Sequence, residues 1–421
     1  MILAKGTVLP DNRLSQVLGH LEDDIIETRV QPPLSPDLVI GACARLLERL
    51  DRGELDQLIA QYATAQMLDV LEQYRHLLRP ESLEYKLSTE SGGLLSGAER
   101  PFGRVAAVPL GTLLHITAGN MDGLPAFSVV EGLLTGNINL LKLPSGDSGL
   151  SFALLKLLTD TEPLLSPYIY VFSIPSRDQD SIRALASLAD GIVTWGGDEA
   201  IRAMRAMAPA GCKLMEWGHR LSFAYLSGEG REEELEALAG HIIKTGGLLC
   251  SSCQVIYLDT ADWVCARRFC AQFLPILERA AAQGHQTPGQ AAQATLHGYE
   301  HQLELAVDGN DAEVFSGRGC SVTLCHDQTL ELSPLHGNVL VKCLPREKLV
   351  QALYPQRGRL QTAGLLCPTE ERQTLSALLS RAGVTRVTSA GHMSAPFLGE
   401  CHDGEYPLMR YLRLVDVENI L

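Results

Sequence analysis

The chain has 421 residues, of which 46% are hydrophobic and only 5% aromatic, enough for two or three domains with substantial cores. Fifty acidic against 35 basic side chains give a formal net charge of −15, a surface that repels phosphate backbones and excludes nucleic acid as an expected partner. The 11 cysteines are odd in number and irregular in spacing, which argues against a disulfide framework and for a reducing cytoplasm.

Residues 1–7 show no basic segment leading into an apolar core, so no secretory signal is expected. No run of 18 apolar residues predicts a membrane span. Residues 1–100 read as mostly helical, with apolar residues at three- and four-residue spacing over 42–50 and 54–78. Pro32, Pro33 and Pro36 punctuate the start of this region, with Ser35 or Asp37 as a cap. Gly92-Gly93 and Ser96-Gly97 mark a loop before the pattern changes.

Strands are predicted at 104–109, 113–117, 139–143, 168–172 and 191–195, and helices at 126–134, 150–158, 180–188 and 199–207. Strands alternating with helices of this length make a parallel, doubly wound sheet that binds ligands at the carboxyl ends of its strands. The alternation continues over 226–395, with strands at 255–258 and 338–342 and helices at 263–277 and 346–353. The tail is predicted to end in one strand, 408–417, with alternating charges.

The chemistry gathers around Cys250, in a small-residue turn between the helical pattern ending at Gly246-Gly247 and the strand 255–258. Glu216 lies 34 residues earlier. A thiol in such a turn, with a glutamate to handle its proton, suits an enzyme that forms a covalent thioester or thiohemiacetal. The competing reading is a small buried hydrophobe, the role of most cysteines. Cys250 and Cys253 form a C-x-x-C pair, but no second pair stands at zinc-ribbon spacing, so no metal is expected.

Three further turns follow predicted strands. Gly196-Gly197 lets backbone N–H groups approach a phosphate at a helix start, although any tight strand-to-helix turn favours glycine. Lys142, at the end of a buried strand, can reach ribose hydroxyls or an adenosine phosphate, with Ser145 in the same loop; the alternative is a lysine snorkelling to water. Asn120 can donate to a developing oxyanion or close an Asx turn.

In order, strand-Asn, strand-Lys-Pro-Ser, strand-Gly-Gly-helix, Glu-x-Gly and then a cysteine resemble the landmarks of the aldehyde dehydrogenase superfamily. Within it the chain resembles the LuxC-type acyl-CoA reductases, through Leu134-Thr135-Gly136-Asn137-Ile138-Asn139, Trp195-Gly196-Gly197-Asp198-Glu199, Cys250-Ser251-Ser252 with Gln254, and Leu360-Gln361-Thr362-Ala363-Gly364-Leu365. The resemblance covers about residues 100–415.

It implies an α/β, aldehyde dehydrogenase-like fold with two doubly wound parallel-sheet domains. Residues 1–100 would pack on a cofactor domain of 101–225, followed by a catalytic domain of 226–395 and a bridging segment, 396–421, in a homo-oligomer. It also implies reduction of a fatty acyl thioester, on CoA or a carrier protein, to an aldehyde by NADPH, with NADH the alternative. Cys250 would carry the acyl group, Glu216 would manage its proton, and Asn120 would hold the oxyanion. Lys142, Ser145, Gly196, Gly197 and Glu331 would contact the cofactor, and an acyl-activating synthetase or acyltransferase would be the partner.

The chain departs from the superfamily in having Gly-Gly-Leu-Leu before the cysteine, without the usual glutamine, and Glu331 is only a loose equivalent of the ribose-binding glutamate. Two other readings stay open: a CoA-acylating aldehyde dehydrogenase running oxidatively, and a catalytically silent acyl-binding partner protein. The joint presence of Cys250, Glu216, Asn120 and Lys142 argues against the second.

Overall fold

The computed structural model describes residues 1–62, 72, 75–101, 103–117, 123–284, 288–308, 312–395 and 399–419. The chain divides into two compact units, residues 1–218 with 397–421, and residues 219–396.

The first unit opens with strands β1 (Ile2–Ala4) and β2 (Thr7–Leu9). Their two-residue turn has Lys5 and Gly6 both at positive φ, 47° and 75°, the geometry of a tight hairpin turn matched to strand twist. Then come β3 (Ala98–Arg100), β4 (Gly103–Pro109), β5 (Thr112–Ile116), β6 (Ile138–Lys142), β7 (Ile169–Phe172), β8 (Gly191–Trp195) and β9 (Lys213–Trp217). The main sheet has the order β2-β1-β7-β6-β5-β8-β9.

Strands β5 to β9 pair in parallel, whereas β1 pairs antiparallel with both β7 and β2. The sheet is therefore mixed rather than wholly parallel, and the opening segment is not only helical. Ile2 and Leu3 are buried, and burying them draws the first nine residues onto the sheet edge. Helices Pro36–Asp51, Leu124–Leu134 and Leu150–Thr161 cover one face. Helices Leu14–Arg29, Gln179–Ser187 and Asp198–Met207 cover the other. Burial on both faces explains why these strands read as unbroken apolar runs.

The second unit holds β10 (Leu221–Leu226), β11 (Cys253–Leu258), β12 (Ala312–Gly317), β13 (Cys320–Cys325), β14 (Asn338–Cys343), β15 (Leu360–Leu366) and β16 (Arg386–Ser389), in the order β12-β13-β14-β11-β10-β15-β16. Neighbours are parallel except in the β12–β13 hairpin. Helices Glu232–Thr245 and Trp263–Gln283 pack on one face, and Leu349–Leu353 with Arg372–Ala382 on the other.

Strand β10 pairs with β11 on one side and β15 on the other. The division between the units accordingly falls at residues 218/219, and not at 225 as the sequence pattern suggested.

The tail belongs to the first unit. Instead of one strand over 408–417 it forms a helical turn, Pro407–Arg410, and then β17 (Leu412–Glu418). Pro407 starts the turn, the Leu408 N–H donates to Glu90 Oε2 at 3.0 Å, and Tyr411 is fully buried. Strand β17 then pairs antiparallel with β4 in the three-stranded sheet β17-β4-β3.

Candidate active site

The nucleophile candidate lies in the second unit, where helix Glu232–Thr245 gives way to β11. The helix stops at Gly246 and Gly247, both left-handed, with φ of 57° and 79°. Gly247 is tightly enclosed: a Cβ there would stand 2.9 Å from Leu335 Cδ2 and 3.3 Å from Ser333 Oγ. The following turn is closed by the Ser252 N–H donating to Leu249 O at 2.9 Å and the Leu249 N–H donating to Ser252 Oγ at 3.0 Å.

Cys250, half-buried, sits inside this turn. Its carbonyl accepts from Ser222 Oγ at 2.6 Å, and the same hydroxyl accepts the Thr362 N–H at 3.0 Å. Ser222 can serve both because β10 shifts register there against both neighbours. Ser251 Oγ meets Ser394 Oγ at 2.7 Å.

Cys253 is different. It is the first residue of β11, only 2% exposed, and burial pushes its thiol up to about 12. Its N–H donates to His241 Nε2 at 3.3 Å. Burial lowers the His241 imidazole to about 4, so at neutral pH the ring is uncharged and can accept that hydrogen bond.

Glu331 lies in the same unit as Cys250. Its carboxylate receives the buried Lys342 ammonium at 2.5 Å, and Asp327 takes the same ammonium at 2.7 Å. The salt bridge engages the carboxylate expected to meet a ribose.

The other sequence-named residues belong to the first unit, except Asn120, which lies outside the described residues. Strand register places Lys142, Ile116, Thr194 and Glu216 in one row across β6, β5, β8 and β9. At about 4.8 Å per strand, Lys142 and Glu216 are about 14 Å apart. Lys142 is nearly buried, donates to Ser176 Oγ at 3.1 Å, and has its pKa lowered by burial. Ser145 is exposed in the loop that follows.

The Gly196 N–H donates to Trp217 O at 3.1 Å, and Gly197 precedes helix Asp198–Met207 with nothing within 4 Å of where a Cβ would sit. The Glu216 carboxylate is gripped by two of the Arg205 nitrogens, Nε at 2.5 Å and an Nη at 2.6 Å. Trp195 and Trp217 each pack against His402, with ring centroids 4.9 and 4.8 Å away.

Sequence reasoning missed Arg205, His241 and Ser222. Their partners lie 11, 12 and 28 residues away in the chain, so no local spacing exposes them.

The acyl-CoA reductase (LuxC) family matches residues 41–414. The chain belongs to that family. It is 24% identical over 322 residues to the long-chain acyl-protein thioester reductase of Vibrio harveyi, and 22% identical over 318 residues to that of Aliivibrio fischeri. Each alignment covers 75% of this chain and 65% of the relative, so the chain spans just under two thirds of the length of these relatives.

Among solved structures, the lactaldehyde dehydrogenase of Escherichia coli superposes with a TM-score of 0.68 at 14% identity, covering 97% of this chain and 92% of that one. A putative aldehyde dehydrogenase from Anabaena variabilis superposes with a TM-score of 0.66 at 16% identity, covering 98% and 93%. The fold is that of the aldehyde dehydrogenases, and the LuxC family is one of acyl-CoA-reducing oxidoreductases.

His241 yields a pH test of this geometry. Unfolded, its imidazole protonates near pH 6.5; folded, only near 4. Its contribution, up to ~3 kcal/mol, is therefore complete above pH 6.5 and is lost as pH falls from 6.5 towards 4. His241→Gln keeps an acceptor and removes the titration. Urea unfolding of the variant should show a flatter loss of stability between pH 6.5 and 4 than the native chain; an identical acid limb would contradict a buried neutral His241.

Proposed function

We propose that this chain reduces a fatty acyl thioester, on CoA or a carrier protein, to the aldehyde, with Cys250 carrying the acyl group. The observation that carries this reading is the contrast between two cysteines three residues apart. Cys253 is packed into β11 with a thiol that ionises only near 12, whereas Cys250 stands half-exposed in a glycine-led turn. The thiolate is the nucleophile, so burial that raises a thiol's pKa disqualifies it.

The Cys250 thiolate attacks the thioester carbonyl, and the CoA or carrier thiol leaves. Cys250 N–H and the Asn120 amide hold the oxyanion. A nicotinamide cofactor, when bound, supplies the hydride that turns the acyl-cysteine into a thiohemiacetal. Collapse then releases the aldehyde and returns the thiolate. Glu216 manages the thiol proton, exchanging its Arg205 partner to do so.

The residues fit such a cofactor. Lys142 offers an ammonium at a strand end and Ser145 a hydroxyl in the loop that follows, and Gly197 opens a helix start with nothing within 4 Å of where a Cβ would sit. That is donor chemistry for ribose hydroxyls and phosphate. Glu331, held by Lys342, would serve a ribose only by sharing its carboxylate. We assign NADPH over NADH on Lys142. None of the eleven cysteines is in a disulfide, in keeping with a reducing, cytoplasmic setting. Among the described residues no helix is long and apolar enough to cross a membrane.

The homo-oligomer reading is supported by β17, which pairs on one side only among the described residues and exposes Leu414, Val415 and Val417. An open apolar edge of this kind is a liability unless another strand covers it. Net charge favours a basic or amphipathic patch on an acyl-supplying partner.

Cys250→Ala should abolish NADPH-dependent aldehyde formation from acyl-CoA, while Cys253→Ala keeps most of it; the reverse pattern would overturn the assignment. Assays of aldehyde plus CoA with NADP⁺ separate the oxidative alternative, which predicts faster turnover in that direction.

Lys142→Ala should weaken NADPH more than NADH, by roughly ten- to a hundredfold, since a charge-assisted contact is worth about 1.5–3 kcal/mol. Equal losses in fluorescence titrations would show that the lysine does not read the 2′-phosphate.

The double substitution Leu414→Lys, Val417→Lys should yield monomer by light scattering without a change in thermal midpoint. An unchanged mass would show that β17 is not the interface.

A further inference from the structure

We propose that Gln254 is a positioning residue that fastens the Cys250 turn to the loop 331–338, so that the two move as one body. The side chain is 2% exposed, at the second position of β11 and four residues after Cys250. Its neighbours along the strand, Val255, Ile256 and Tyr257, are fully buried. An apolar residue would be the simple choice at such a place, since a buried amide is costly unless it is bonded.

Gln254 is bonded on both sides. Its Oε1 accepts the Ser333 N–H at 3.0 Å and the Ser333 hydroxyl at 2.9 Å, and its Nε2 donates to Gly247 O at 2.8 Å. One amide thus joins the segment before the nucleophile to a loop 79 residues away in the chain.

Three independent features fix the same two segments together. The His336 N–H donates to Gly246 O at 2.8 Å. Gly247 has no room for a Cβ against Leu335 and Ser333. Leu335 and His336 hold left-handed backbone, φ of 65° and 50°, which non-glycine residues keep only when their surroundings impose it. The loop is tied at its start by the Glu331–Lys342 pair and near its end by Asn338 Nδ2, which donates to Leu335 O at 2.8 Å. It therefore cannot shift without pulling on Gly247 and the turn that carries Cys250. Where Glu331 serves the cofactor, which rests on the proposed function, occupancy of that site is felt at the thiol through Gln254.

The test uses the full-length protein and three variants: Ser333→Ala, Gln254→Leu and the double substitution. Cys250 alkylation by iodoacetamide is followed by peptide mass spectrometry, with exposed Cys401 as an internal reference, with and without NADPH. Gln254→Leu should change the Cys250 rate at least fivefold and leave Cys401 unchanged. Ser333→Ala, which keeps the residue-333 N–H on Gln254 Oε1, should change it in the same direction by less, and the double variant should go no further than Gln254→Leu alone. NADPH should alter the Cys250 rate in the native chain, and neither single variant should show that response while still binding NADPH by fluorescence.

A Gln254→Leu rate within twofold of native, or effects of the two substitutions that multiply, would overturn the proposal. If Gln254→Leu does not fold, Gln254→Glu, which keeps the acceptor for Ser333 and loses the donor to Gly247, is read by the same criteria. Failure of the native chain to bind NADPH would count against the cofactor reading alone, and the alkylation rates without cofactor would still decide the role of Gln254.

Discussion

A thiol cannot be both packed and reactive, and the second unit is built around that constraint. Within four residues the chain holds one buried cysteine, Cys253, and one half-buried cysteine, Cys250, to which the proposed function gives the reactive role. Cys253 fills a fully buried position at the start of β11, where loss of hydration disfavours the thiolate. Cys250 stays in the turn before the strand, where what is held firmly is its backbone. Ser222 takes its carbonyl, Ser251 is tied to Ser394, and His241 takes the Cys253 N–H. Left-handed Gly246 and Gly247 let the helix end abruptly enough for the turn to exist at all. Fixing the backbone while leaving the side chain accessible is how a scaffold presents a nucleophile at little cost in reorganisation.

The first unit meets a parallel requirement with charges. In parallel strands buried on both faces, ligand chemistry gathers at the carboxyl ends. Lys142 and Glu216 occupy one register row there, each with a defined partner, Ser176 for the ammonium and Arg205 for the carboxylate. Ser176 gives the nearly buried Lys142 ammonium a neutral hydrogen-bond partner, and Arg205 pairs the half-buried Glu216 carboxylate. The two partners differ in strength: Ser176 is a neutral hydroxyl, whereas Arg205 holds Glu216 with two hydrogen bonds.

Much of the fold was legible because its periodicities are strong. The strands ending at Lys142, Phe172 and Trp195 stand within a residue or so of their predicted positions, since each is a short apolar run between helices of 3.6-residue period. What escaped was set by non-local pairing. The β1–β2 hairpin is three residues a side and joins β7 across more than 160 residues. Strand β10 sorts with the second sheet because of what it pairs with, not because of its own composition. Pro407 and the Glu90 contact turn the start of the predicted tail strand into a helix.

The site divides in the same way. Cys250 and Lys142 were visible as residue types at the ends of predicted elements, and Glu216 by its separation from Cys250 and its place in a Glu-x-Gly landmark. Gln254 was visible as part of a motif, but its task, joining Gly247 to Ser333, exists only in the folded unit.

Rapid mixing of the protein with a long-chain acyl-CoA in the absence of reductant, followed by intact-mass analysis and peptide mapping, tests the central claim most directly. One acyl group per chain should be found on Cys250, and subsequent addition of NADPH should discharge it as one equivalent of aldehyde. An adduct on Cys253 or another residue, or an acyl-Cys250 that yields only free acid when NADPH is added, would contradict it.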